Sequence, residues 1–393
     1  MATLEKLKLS KQLLTAMTSN GYLSATEIQS ILFPRLNGGQ DIVAIAPDGA
    51  GKTTTCILAS LNKIQFTEEI APRILYLVPD IETGEEVLDQ FHTLNRNRDL
   101  RFLGLFADGK SLDAQVLELT DGVDIIVATP DRARAAYLKL GLNLNKIQLF
   151  VVDDAETIIK KGLTLPTVEL ARGIKKSQFL VCSSVYHERL EKLFHTFIPL
   201  ANIIEVDDLG ENQLNTAEQL LYHVPNFGTK LYLVQLLMAD KEVFDKVLIF
   251  VNTKFTAETV FKNLSKDFGD EISVFNAGSI SENNFTQLID FKLSPKSRIL
   301  IIANEDNPNE LPVSDFPCIL HFDIPEEEVT YTQRVLIRSE HQQDQLAITF
   351  STDLELPQIR RLEQKQGKKM QSMELPTDLF IVKDKPKKKM KED

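Results

Sequence analysis

The chain has 393 residues, 43% of them hydrophobic and 25% charged, with a formal net charge of -12. That length exceeds one ordinary core and implies two or three domains, while the acidic balance argues against attachment to nucleic acid by bulk charge and leaves room only for a local basic groove. No apolar run approaches the ~20 residues that a membrane helix needs. The first residues lack the apolar stretch of a signal peptide. Cys56, Cys182 and Cys318 are far apart in sequence, which suggests neither a disulfide framework nor a zinc site. The expectation is a cytoplasmic, monomeric protein without membrane contact.

Along the chain, short β-branched apolar runs alternate with helix-period segments. In the first half the runs are residues 42–46, 74–78, 102–106, 125–128, 149–153 and 179–182. Runs that are apolar throughout and separated by amphipathic stretches read as central strands of a parallel sheet, covered by helices on both faces. The acidic, turn-rich stretch 206–216 (VDDLGENQLNT) breaks the rhythm. It then restarts with runs at 220–224, 247–251, 272–275, 299–302, 318–322 and 346–350. The expected fold class is therefore α/β, with two such domains in tandem: residues 1–207, a linker at 208–216, residues 217–367, and a Lys-rich tail at 368–393. The end of that tail, KDKPKKKMKED, reads either as a solvated terminus or as a tether touching phosphates without sequence preference.

The strongest signal is IVAIAPDGAGKTTTCILASL, in which a β-branched strand runs through a Gly-containing turn into an apolar helix. Gly49 and Gly51 let backbone N–H groups face a polyphosphate where a side chain would block approach. A helix starting near Lys52 aims its positive end at the same anion. Asp48, Gly49, Ala50, Gly51, Lys52, Thr53 and Thr54 are thus the candidate phosphate loop for a purine nucleoside triphosphate. Lys52 is expected on the β- and γ-phosphates and the Thr53 hydroxyl on magnesium. Asp48 is the odd member, because a carboxylate there repels phosphate unless it points away. The loop also needs an acidic residue at the end of a neighbouring strand. LFVVDDAE supplies Asp153 for Mg2+ and Asp154 to orient an attacking water. A chance Gly-Lys-Thr turn and an acidic helix N-terminus are the plainer readings of the two segments.

With these residues in place the sequence resembles the DEAD-box RNA helicases. GYLSATEIQ, APDGAGKT, TPDR, DDAE, SSV and LIFVNTK occur in the family's order and rough spacing. The resemblance runs from about Leu4 to Gln366 and implies two RecA-like domains, ATP and Mg2+ as cofactors, and single-stranded RNA or a short duplex as partner. It further implies that Gln29 reads the adenine edge, with Tyr22 packing nearby; an amide has the paired donor and acceptor this needs. Gly109, Thr129 and Arg132 take the positions of RNA-backbone contacts, and Ser183, Ser184 and Arg334 those of residues that couple the two domains.

The departures from the family fall on chemistry. Asp154 stands for its glutamate, Glu156 for its final aspartate, and Val185 for the threonine of the coupling motif. Ile81 and Phe285 stand where arginines are expected, and Leu4 where an aromatic ring would support adenine. In the second half Asn309 and Pro312 replace an arginine and an aspartate. Ile337 and Glu340 occupy the places of two arginines facing the γ-phosphate, with Arg338 one residue from the first. Such an arginine is worth ~10³–10⁵ in phosphoryl transfer. The sequence therefore points to an ATP-dependent RNA helicase or remodeller with weakened hydrolysis. The alternatives are a catalytically impaired helicase-like module binding ATP, RNA or protein, and a P-loop enzyme of another substrate class, against which Gln29 argues.

Overall fold

Every apolar run named above becomes a strand, and most are buried on both faces, where β-branched and aromatic side chains pack best on a pleated surface. The computed structural model describes residues 3–95, 99–107, 109–207, 209, 213–276, 284–306, 312–337 and 345–383. It divides into two compact units, Met1–Asp208 and Leu209–Asp393.

The first unit contains β1 (Ile42–Ile45), β2 (Ile74–Leu77), β3 (Phe102–Leu105), β4 (Ile125–Ala128), β5 (Leu149–Val152), β6 (Gln178–Ser183) and β7 (Asn202–Glu205). They form one parallel sheet in the order β3-β4-β2-β5-β6-β1-β7. Alternation along the strands splits the core into two layers. Ile42, Ala44, Tyr76, Val151 and Cys182 face one layer, and Val43, Ile45, Leu77, Val152 and Val181 the other. All seven strands end at one carboxyl edge, where parallel α/β sheets place their ligands.

The second unit repeats the architecture with β8 (Glu218–His223), β9 (Val247–Val251), β10 (Ile272–Phe275), β11 (Asn284–Phe285), β12 (Ile299–Ala303), β13 (Cys318–His321), β14 (Leu346–Ser351) and β15 (Gln371–Met373). Their order is β11-β10-β12-β9-β13-β14-β8-β15, again parallel at each described pairing between strands. Both units thus have the two-layered, helix-covered parallel sheet of RecA-like P-loop domains.

Two boundaries differ from the sequence reading. The expected linker is tied into the second unit from Leu214 on: its N–H donates to the Gln366 carbonyl, and that of Ala217 to Val335. The expected tail is not a tail from 368 to 383. β15 pairs with β8, Leu379 is buried in the core, and Asn226 Nδ2 donates to the Val382 carbonyl at 2.7 Å. A strand of Gln-Ser-Met carries no hydrophobic signal, because backbone pairing rather than side-chain burial holds it. The lysines from residue 384 on lie outside the described residues.

Candidate nucleotide site

The loop after β1 turns on glycines in the left-handed region, Gly49 at φ +80° and Gly51 at +95°. A side chain at either position would be strained. Gly51 caps the helix Lys52–Lys63, so the loop does connect a strand to a helix N-terminus. Ala50 is buried, while Thr53 and Thr54 are half-buried in the first turn. Lys52 is buried, and its Nζ donates to the carbonyls of Ala46 (2.8 Å) and Pro47 (3.1 Å). Asp48 lies 3.4 Å from that ammonium. Its carboxylate therefore pairs with the loop's own cation, which is how an acidic residue is tolerated here.

At the end of β5, Asp153 is fully buried. Its Oδ2 accepts from Tyr76 Oη at 2.6 Å, and its Oδ1 from the Asp154 N–H at 3.1 Å. Burial raises the Asp153 carboxyl above its ordinary value, opposed by the Tyr76 and Thr53 hydroxyls and by the Lys52 charge. Tyr76 was not anticipated; its signal was a hydroxyl in an otherwise aliphatic run. Asp154 takes a left-handed backbone, φ 48°, a conformation that short polar side chains adopt more readily than most. Burial, then the charges of Asp153 and Glu156, push its carboxyl up to about 7.

Glu156 reaches across to the strand β6. Its Oε1 accepts from the Ser184 N–H at 2.9 Å, while its Oε2 and the Ser184 hydroxyl are buried without a partner among the described residues. Ser183 Oγ donates to the Val185 carbonyl at 2.8 Å. The acidic motif after β5 and the serines after β6 are thus joined inside the first unit.

Gln29 packs on the loop. It is buried and closes a capping box with Thr26: Thr26 N–H donates to Gln29 Oε1 at 3.1 Å, and Gln29 N–H to Thr26 Oγ1 at 3.4 Å. The reciprocal bonds hold the side chain in one orientation. A Cβ on Gly51 would come within 3.1 Å of its Nε2. Tyr22 is half-buried against the core nearby, whereas Leu4 is buried in that core rather than standing free beside a ligand. Ile81 likewise packs on the core.

The remaining expected residues are more dispersed. Gly109 has φ +92°. Thr129 precedes the helix Pro130–Leu138, with no side-chain capping bond. Arg132 donates from Nε to Gln115 Oε1 (2.7 Å) and from Nη2 to the Lys110 carbonyl (2.7 Å). It therefore braces the segment beside Gly109. In the second unit Arg334 is 4% exposed, with its guanidinium 3.7 Å over the Phe250 ring. Its Nη2 donates to Asn304 Oδ1 at 2.8 Å, and burial lowers its pKa to about 9. Phe285 packs against Phe291 in the core. Ile337 is half-buried and Pro312 precedes the turn Val313–Asp315. Asn309, Arg338 and Glu340 lie outside the described residues.

The three cysteines are free and buried. Although distant in sequence, Cys56 and Cys182 bring their Sγ atoms to 3.3 Å, both fully buried.

Two tandem RecA-like units, the first with a glycine turn entering a helix and an acidic strand end at the same sheet edge, define the class of fold. Residues 26–193 match the family model described as DEAD/DEAH box helicase. The RNA helicase CrhR of Synechocystis is 26% identical over 335 residues, which are 85% of this chain and 66% of that protein. The ATP-dependent RNA helicase RhlB of Vibrio vulnificus is 25% identical over 340 residues, covering 84% of this chain and 76% of RhlB. A crystal structure of a DEAD box protein from Methanococcus jannaschii superposes with a TM-score of 0.53 at 21% identity, covering 95% of this chain and 99% of that one. The first unit thus matches the DEAD/DEAH box helicase family, and most of the chain is similar, at low identity, to proteins named RNA helicases.

Proposed function

We propose that the first unit binds ATP with magnesium, and that the chain is an ATP-dependent RNA helicase or remodeller with weakened hydrolysis. The observation that carries this reading is the convergence of Lys52, Thr53 and Asp153 at one carboxyl sheet edge, beside a Gln29 held against Gly51. A hydroxyl and a carboxylate are the hard oxygen donors that Mg2+ takes, so the residues fit the ion. Magnesium, when bound, neutralises charge on the phosphoryl oxygens.

The chain's own part follows from its geometry. Lys52 exchanges two neutral loop carbonyls for charged phosphoryl oxygens, which accept more strongly. The amides around Gly49 and Gly51 face the same oxygens. Gln29, fixed by its cap, presents its amide nitrogen to a purine. Asp154 holds the attacking water; in the metal-free chain burial and the charges of Asp153 and Glu156 push its carboxyl up to about 7. Gly109, Thr129 and the segment braced by Arg132 are the RNA-facing residues of this unit in the proposal, in keeping with relatives named RNA helicases.

A second reading, a nucleotide- or RNA-binding module without productive turnover, is favoured by the second unit. There a half-buried Phe285 packs on the core and Arg334 is buried on an aromatic ring. Phosphate release with and without single-stranded RNA, against Lys52→Ala, decides between them. RNA-stimulated release above the variant supports the enzyme. ATP binding by calorimetry without such release supports the module. Absence of ATP binding refutes the enzyme and the nucleotide-binding form of the module.

A further inference from the structure

Behind the phosphate loop the topology gathers four chemistry-bearing side chains that no single stretch of sequence brings together. Tyr76 on β2 lies opposite Val151 on β5, and Val151 opposite Leu180 on β6. With a side-chain period of two, Asp153 and Cys182 emerge on the same face as Tyr76. The helix Lys52–Lys63 covers that face, and Cys56, one turn beyond Lys52, points down onto it. The two Sγ atoms and a carboxylate oxygen of Asp153 all lie within 4.8 Å of one another, each residue fully buried. Tyr76 Oη fixes the carboxylate through its Oδ2, the kind of outer contact that orients a ligand toward a metal.

We propose that Cys56, Cys182 and Asp153 form a site for a soft divalent cation, Zn2+ or Cd2+, and that filling it withdraws Asp153 from the nucleotide's magnesium. Thiolate–zinc bonds of ~2.3 Å in a tetrahedron set two sulfurs roughly 3.8 Å apart. The observed 3.3 Å therefore needs an opening of only about half an ångström. Magnesium is a poor occupant, since it demands near-octahedral oxygen ligation. Binding replaces two S–H protons, which leave to solvent as the two metal–sulfur bonds form, with no change of oxidation state. The second half of the proposal rests on the nucleotide reading of Asp153; the first does not.

The test is a Cd2+ titration of the full chain at mildly alkaline pH, followed by the thiolate-to-cadmium charge-transfer absorption. The expected result is a band saturating at one ion per chain, kept in Cys318→Ser and lost in Cys56→Ser and Cys182→Ser. No band, or one that survives both substitutions, overturns the site. If the serine variants unfold, the cadmium NMR resonance of the unsubstituted chain decides: a mixed sulfur–oxygen shift supports the site and an all-oxygen shift overturns it. Loss of magnesium-dependent binding of a fluorescent ATP analogue on Cd2+ loading, absent in Cys182→Ser, supports the competition. A band with unchanged nucleotide affinity overturns it. Failure of the ion-free chain to bind the analogue removes the competition while the band still judges the site.

Discussion

Tyr76→Phe isolates one oxygen. The ring stays, with its edge-on contact to Phe91 at 5.7 Å between centroids, so packing is preserved. What is lost is the 2.6 Å bond from Tyr76 Oη to Asp153 Oδ2, a separation typical of a hydroxyl donating to a carboxylate. Burial holds the phenol above its ordinary pKa, so it remains a donor throughout the neutral range. A hydrogen bond to a charged group is worth about 1.5–3 kcal/mol, or roughly one to two pH units of carboxyl titration. Because burial already raises Asp153, losing that bond moves its titration further up. Magnesium-dependent binding of a fluorescent ATP analogue is then expected to weaken by about 10–100-fold on the acidic side of that titration and to recover as pH rises above it. Equal affinities across the pH range, or a loss of the same size at every pH, would refute the reasoning.

The other expectations concern stability. For Asp154, the folded pKa of about 7 lies above the ordinary 3.8; its contribution is complete below about pH 4 and is lost as pH rises toward 7. At ~1.4 kcal/mol per pH unit inside that window, the metal-free chain loses up to about 2–3 kcal/mol between pH 5 and 7. Asp154→Asn should flatten that slope in urea midpoints, and parallel slopes would count against it. Asp124, fully buried between Arg73 (2.6 Å) and Arg101 (3.0 Å) before β4, lies at the opposite sheet edge from the nucleotide loop. Asp124→Ala should cost ~3–5 kcal/mol, because two guanidinium groups lose their partner, with ATP affinity unchanged in the folded fraction. A loss below about 1 kcal/mol would show the pair to be dispensable. Ending the chain at Gly367 removes β15 and Leu379, whose side chain alone contributes about 1.5–3 kcal/mol. Melting of the second unit should fall, whereas ending it at Lys383 should change nothing; equal melting temperatures would return 368–383 to a loose tail.

The limits of sequence reading follow from what held each element in place. Central strands such as β9, β10 and β4 were legible to the residue because burial on both faces writes itself into composition. β7, β11 and β15 were not. Asn202–Glu205 is largely exposed, and the other two strands span only two and three residues. Lys52, Thr53 and Asp153 were legible because each sits at a fixed offset from its own strand or turn. Tyr76 and Cys182 were not, since their neighbourhood depends on the register of β2, β5 and β6, which are distant in sequence. Gln29 was half read. The Thr26-x-x-Gln29 spacing announces a capping box, and that local role fixes the amide assigned to the purine. Arg132 was placed on a helix start correctly, but its bonds to Gln115 and the Lys110 carbonyl required the fold.

Buried charge carries an energetic cost in both units. In the second, a half-buried Phe285 packs on the core where an arginine was expected, while Lys230 and Arg334 stay buried, the latter over Phe250. Replacing a charge by a packed ring removes a desolvation penalty. The first unit keeps a buried Lys52 and a fully buried Asp153, and the charges of Asp153 and Glu156 press on Asp154. Each costs stability in a region where Asn, Met or Leu would pack more cheaply. Perturbed carboxylates beside an ammonium at a parallel-sheet carboxyl edge are the arrangement that ligand binding, not folding, requires. In the proposed reading, the first unit therefore keeps these buried charges for nucleotide capture, at a cost in stability.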